Sequence, residues 1–164
     1  MKNSTFYLLM LITFLSVSAT AQETIWFDAN WQETSKDNAE YYRPAPQKKG
    51  NGYLIVDYFK NGQIQMKGFS TNAEPHKEEF QGLVVYYHQN GKPYHEANYK
   101  DGKLHGVRKV YFESGELKEQ GKYKDGQRDG IWKTFYKTGK IETKGKYQDG
   151  EKVGVWKTFY KNVQ

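Results

Sequence analysis

GVRKVYFESGELKEQGKYKDGQRD (106–129) and GIWKTFYKTGKIETKGKYQDGEKV (130–153) lie end to end and are one unit written twice. A third copy starts at Gly154 as GVWKTFYKNVQ (154–164). The period is 24 residues on three glycine marks: Gly91, Gly115, Gly139; Gly102, Gly126, Gly150; and Gly106, Gly130, Gly154. Tyr99, Tyr123 and Tyr147 keep the same spacing. Upstream, GLVVYYHQNGKPYHEANYKDGKLH (82–105) fits the template, with Ala97 where Gly121 and Gly145 stand later. YLIVDYFKNGQIQMKGFS (53–70) fits with a degenerate start, and its connection TNAEPHKEEFQ (71–81) is five residues longer than the period requires. Residues 53–164 therefore read as about four repeats and a terminal half, and a fixed period of this length is the mark of a repeat architecture.

Each unit carries two short runs rich in aromatic and β-branched residues, separated by turn residues. Asp101-Gly102, Asp125-Gly126, Asp149-Gly150, Asn61-Gly62 and Asn90-Gly91 are hairpin dipeptides, because these residues reach positive φ at low cost and primed turns match strand twist. In the second run, Ile141, Thr143, Gly145 and Tyr147 alternate with Lys140, Glu142, Lys144 and Lys146, the period of two of a half-buried strand. A turn signal every 8–12 residues leaves no room for a helix. The fold class expected is all-β, an elongated antiparallel meander of stacked β-hairpins. Nine strands at the usual spacing would extend about 40 Å. Four rows would then run across the sheet: Tyr87, Tyr111, Phe135, Phe159; His88, Phe112, Tyr136, Tyr160; Val84, Arg108, Trp132, Trp156; and Leu83, Val107, Ile131, Val155. The aromatic rows are expected to supply the core.

Composition agrees. The chain has 164 residues, a mean hydropathy of −0.95 and 27% charged residues, values that would suit a disordered tail. Its 16% aromatic content argues against disorder. The absence of cysteine excludes a disulfide framework, a thiol nucleophile and a cysteine zinc site. Residues 1–21 show one charge (Lys2), an apolar run from Phe6 to Val17 and the small residues Ala19-Thr20-Ala21. That is a secretory signal peptide with cleavage between Ala21 and Gln22; its apolar run is too short for a membrane anchor. The expectation is a secreted or periplasmic protein. Residues 22–52 are expected to cap the array, with Tyr41-Tyr42-Arg43 pairing with Tyr53–Phe59 through a turn at Gly50-Asn51-Gly52.

The pattern carried by Gly130, Trp132, Phe135, Tyr136, Gly139, Ile141, Gly145, Tyr147, Asp149 and Gly150 resembles the MORN repeat in its bacterial variant form. The resemblance covers about 53–161. It implies an elongated sheet of stacked hairpins used for protein–protein or membrane-associated scaffolding. Some relatives of the variant form bear an antitoxin label, and no catalytic residues come with the family.

The residues themselves show no nucleophile elbow, zinc motif, phosphate loop or convergent acid pair, so a non-catalytic protein without cofactor is expected. His88 falls in an aromatic row, His95 at the position of Glu119 and Thr143, His105 in a turn and His76 in the inserted loop; a metal site would need them to converge. The candidate binding surface is Trp132, Trp156, Tyr136 and Tyr160 together with the ladder Lys109, Lys133 and Lys157. Two partners suit it. One is an envelope protein, for which the chain would act as an interaction scaffold. The other is an anionic envelope surface, lipid headgroups or glycan, met by lysines and aromatics together. Export disfavours nucleic acid. The last strand, 155–160, is either a managed edge or a partner site, and the loop 71–81 is the second candidate for specificity.

Overall fold

In the computed structural model, residues 23–160 are described; the segment 1–22, with the expected cleavage site at Ala21 and Gln22, and residues 161–164 lie outside the described residues. Twelve strands form one sheet. They are β1 (Ile25–Phe27), β2 (Tyr41–Arg43), β3 (Gln47–Lys49), β4 (Gly52–Phe59), β5 (Ile64–Ser70), β6 (Phe80–Tyr87), β7 (Pro93–Lys100), β8 (Lys103–Tyr111), β9 (Leu117–Lys124), β10 (Gln127–Phe135), β11 (Ile141–Gln148) and β12 (Glu151–Thr158). From β4 to β12 every strand pairs with its successor, so the nine expected strands form an uninterrupted antiparallel meander.

The two ends of each hairpin turn differently. Asp101, Asp125 and Asp149 sit at φ 50–51° and are followed by glycines that are also at positive φ, the two-residue type I′ geometry. The Asn-Gly pairs depart from the expectation. Only Gly62 and Gly91 have positive φ there, and Asn61 and Asn90 instead accept hydrogen bonds through Oδ1 from the backbone of Gln63 and Lys92. These are longer loops, each preceded by a shift of register at Tyr58 or Tyr87 that is repeated at Tyr111 and Phe135.

The N-terminal segment pairs with β4 in two pieces. Tyr41 and Tyr42 of β2 lie opposite Phe59 and Tyr58, and β3 lies opposite Gly52–Leu54. The turn at Gly50-Asn51 therefore serves β3 and not β2, correcting the simple hairpin expected. Pro44 and Pro46, which lack a backbone donor, separate the two pieces. β1 completes this end against β2.

One cross-strand row explains the core. In register it runs Ile55, Gly68, Val84, Ala97, Arg108, Gly121, Trp132, Gly145, and Trp156 follows against Gly145. Large and small alternate. The indoles of Trp132 and Trp156 lie so close over Gly121 and Gly145 that a Cβ on either glycine would overlap the ring. Ala97 carries its Cβ because its later neighbour Arg108 has a thin aliphatic stem, which ends in a hydrogen bond to Glu119 Oε1 at 2.8 Å. Trp132 is buried and held edge-on between Tyr123 (5.3 Å) and Tyr147 (5.6 Å). At the other end Ile55, Met66 and Val84 form the buried cluster, with Tyr53, Phe80, Tyr86 and Tyr99 against it.

Of the four rows expected, this one alone runs along the core. Tyr87, Tyr111 and Phe135 are half-buried and Phe159 is exposed, while Leu83, Ile131 and Val155 stand 52%, 49% and 79% exposed. Neighbours in a strand point to opposite faces, so the residues beside Val84, Trp132 and Trp156 cannot share their core.

Gly121→Ala is expected to cost about 2–3 kcal/mol in urea unfolding, through overpacking against Trp132. In a Trp132→Arg background, which copies the Ala97–Arg108 pair, the same change should cost less than about 1 kcal/mol, a coupling that contact predicts.

Candidate functional site

The residues singled out in the sequence divide between two faces. Trp132 and Lys133 are consecutive on β10, and Trp156 and Lys157 on β12, so tryptophans and lysines project oppositely. On the inner face, Arg128 lies 4.4 Å from the Trp132 ring and donates through Nη1 to Tyr147 Oη at 2.8 Å; Lys152 Nζ lies 4.4 Å above Trp156. The basic groups that meet the aromatics are thus Arg128 and Lys152, and not the ladder Lys109, Lys133, Lys157. Tyr136 donates its hydroxyl to the Phe159 carbonyl at 2.8 Å, tying a turn to the chain after β12, and Tyr160 is 84% exposed.

The ladder belongs to the outer face, where it joins a row of its own. Glu96, Lys109, Gln120, Lys133, Lys144 and Lys157 follow one another in register from β7 to β12. Lys133 faces Lys144, and Lys144 faces Lys157. None of these three makes an ion pair among the described residues. Like charges directly opposite are destabilising, so the row holds repulsion that a bound anion would relieve. The exposed Ile131 and Val155 lie beside it on the same face.

The elements outside the repeat converge at the other end. Arg43, at the end of β2, makes a two-pronged ion pair with Asp57 on β4, Nε to Oδ1 at 2.6 Å and Nη2 to Oδ2 at 2.9 Å. Both residues are buried, and Glu78 of the inserted loop accepts from Arg43 Nη1. Beside them opens a pocket of 280 Å³ walled by Phe27, Trp31, Met66, Phe80 and Tyr86, with Gln65 and His76 at its lining. Asp57, lodged in the otherwise apolar run Tyr53–Phe59, was the signal available in the sequence; its partner Arg43, 14 residues before it, and Glu78, which accepts from Arg43, were not.

A family model of the MORN repeat variant matches residues 80–101, 104–125 and 128–149. These three units are MORN-variant repeats. Each covers one hairpin, β6–β7, β8–β9 and β10–β11. Repeats of this kind generally serve as non-catalytic binding modules. No protein of curated function matches the sequence. The hairpin β4–β5 and the strand β12 extend the same sheet beyond the matched units.

The histidines are dispersed over this array. His95 stacks on Tyr86 at 4.2 Å with Nδ1 buried and unpartnered, His88 meets Tyr94, His105 meets Asp125, and His76 meets Phe27. Among the described residues no group of three metal-binding side chains comes together. Burial, helped by the Arg108 charge, lowers the His95 pKa from 6.5 to about 4. Its native ring stays neutral where the unfolded chain takes up a proton. Stability contributed by neutral His95 is therefore present above pH 6.5 and is lost as pH falls toward 4. His95→Phe should flatten the urea midpoint between those limits relative to the parent protein. Parallel midpoint–pH curves for the two proteins would contradict this assignment.

Proposed function

We propose that this chain is an exported, non-catalytic scaffold of the cell envelope that holds an acidic protein partner on the outer face of its MORN-variant repeats. The observation that carries the reading is the unpaired row Lys133, Lys144 and Lys157, flanked by exposed Ile131 and Val155. Charge of one sign beside exposed apolar side chains suits a protein surface with carboxylates around an apolar centre. A protein is favoured over a lipid headgroup because the lysines stand at the fixed spacing of paired strands beside exposed Ile131 and Val155, a pattern that the fixed carboxylates and apolar centre of a folded surface can match. The signal-like segment 1–21 supports export.

The same lysine row supports a second reading, attachment to anionic lipid or glycan, and one experiment separates the two. A photo-crosslinking residue at Val155 in the exporting cell is expected to capture one dominant protein. The triple change Lys133→Glu, Lys144→Glu, Lys157→Glu should abolish capture while leaving the β-sheet circular dichroism intact. Capture that survives charge reversal would defeat the scaffold surface proposed. Capture of lipid or glycan alone, with vesicle pelleting that persists at physiological ionic strength, would establish the second reading.

A further inference from the structure

The 24-residue rule is broken in two places, before β4 and between β5 and β6, and both departures build the walls of the same pocket. Phe27, Trp31 and Arg43 come from the first, and Pro75, His76 and Glu78 from the second. Backbone strain gathers there too. Outside the Asp-Gly turns, the non-glycine residues at positive φ among the described residues are Trp31 (61°) and His76 (65°), and both line it. Bulky residues are held in that region only where their surroundings impose it, and such strain concentrates at binding sites.

The chemistry of the lining is one-sided. Arg43 is shared by two carboxyl groups, Asp57 and Glu78, a formal excess of one acid in a largely apolar setting; burial pushes the Asp57 carboxyl upward and the Arg43 guanidinium opposes that shift. Asp57 spends both oxygens on Arg43, whereas Glu78 spends one. Gln65 Oε1 is buried with no hydrogen-bond partner. Burial, and after it the neighbouring Tyr99 and Asp57, push the Tyr86 phenol upward, so it stands neutral in the wall of the pocket. Free acceptors, a formal excess of acid and the faces of Trp31, Phe27 and Tyr86 are the elements that receive an organic cation with an apolar stem.

We propose that the pocket between β1, β4–β6 and the loop 71–79 binds an alkylammonium group, its charge toward Glu78 and Gln65 and its stem among Phe27, Trp31 and Tyr86. Such a group can be borne by a lysine side chain of another polypeptide or by a free amine. The site is independent of the outer lysine row and stands or falls without it.

The test is calorimetric titration and Trp fluorescence of the processed protein with three probes: N-acetyl-lysine methylamide, its uncharged analogue N-acetyl-norleucine methylamide, and n-butylamine. Binding of the lysine probe at least about tenfold tighter than the norleucine probe is expected, as is a comparable loss with Glu78→Gln. If n-butylamine binds as well as the lysine probe, the source is a free amine; if it does not, a peptide-borne one. Gln65→Leu, which leaves the Arg43–Asp57 pair in place, serves as a second variant and should weaken the lysine probe without altering the thermal midpoint. Equal binding of the charged and neutral probes, no binding of either amine, or full affinity in both variants would overturn the proposal.

Discussion

The sheet depends on the close approach of a large side chain to a strand that offers almost none. Without a second layer among the described residues, a sheet must bury apolar area against itself, and side chains of equal size standing in neighbouring strands would hold one another upright. Placing Gly121 and Gly145 beside Trp132 and Trp156 lets each indole lie down over the neighbouring backbone. Tyr123 and Tyr147 then close on the ring edges. The Ala97–Arg108 pair shows the same constraint met with different sizes. Stability is thus carried from hairpin to hairpin by nearest neighbours, which is how repeat arrays hold together.

That mechanism weakens toward the N-terminal end, where the row reads Ile55, Gly68, Val84 and lacks tryptophan. There the non-repeated residues supply what the repeat does not. Phe27 packs under Arg43, Trp31 stacks on Tyr41 at 4.5 Å, and Arg43 fastens β2 and the inserted loop to β4 through Asp57 and Glu78. Removing one partner of a buried pair of this kind typically costs about 3–5 kcal/mol, more than the pair contributes relative to apolar residues of the same shape. Its role is accordingly to specify how the first hairpin is covered, and it leaves a strained, negatively biased pocket as a consequence.

The two faces of the repeat array have different duties. Inward, charge is paired or laid on aromatic rings: Arg108 with Glu119, Arg128 on Trp132, Lys152 on Trp156. Outward, Lys133, Lys144 and Lys157 stand in line without an acid opposite. A lysine-rich face keeps a sheet soluble and resists wrong edge pairing, but solubility alone does not require the lysines to be adjacent to one another.

Read alone, the chain determined its period, its strand class and the positions of its turns, because these follow from local backbone preference: Asp-Gly demands a tight hairpin wherever it sits, and alternation demands a strand. Even the separation of Trp132 from Lys133 was present in their adjacency, and was obscured only by reading equivalent positions down the repeats instead of along the strand. The Asn-Gly loops were less legible, since one dipeptide serves two turn geometries, and the longer one comes with a register shift just before it at Tyr58 and Tyr87. What only the tertiary structure decided was the lysine row, which combines residues of three strands through register, and the meeting of Arg43 with Asp57 and Glu78. Those contacts join an unrepeated segment, a strand and a loop. No local preference encodes a distance between them, and only the folded sheet brings the three charges to one place.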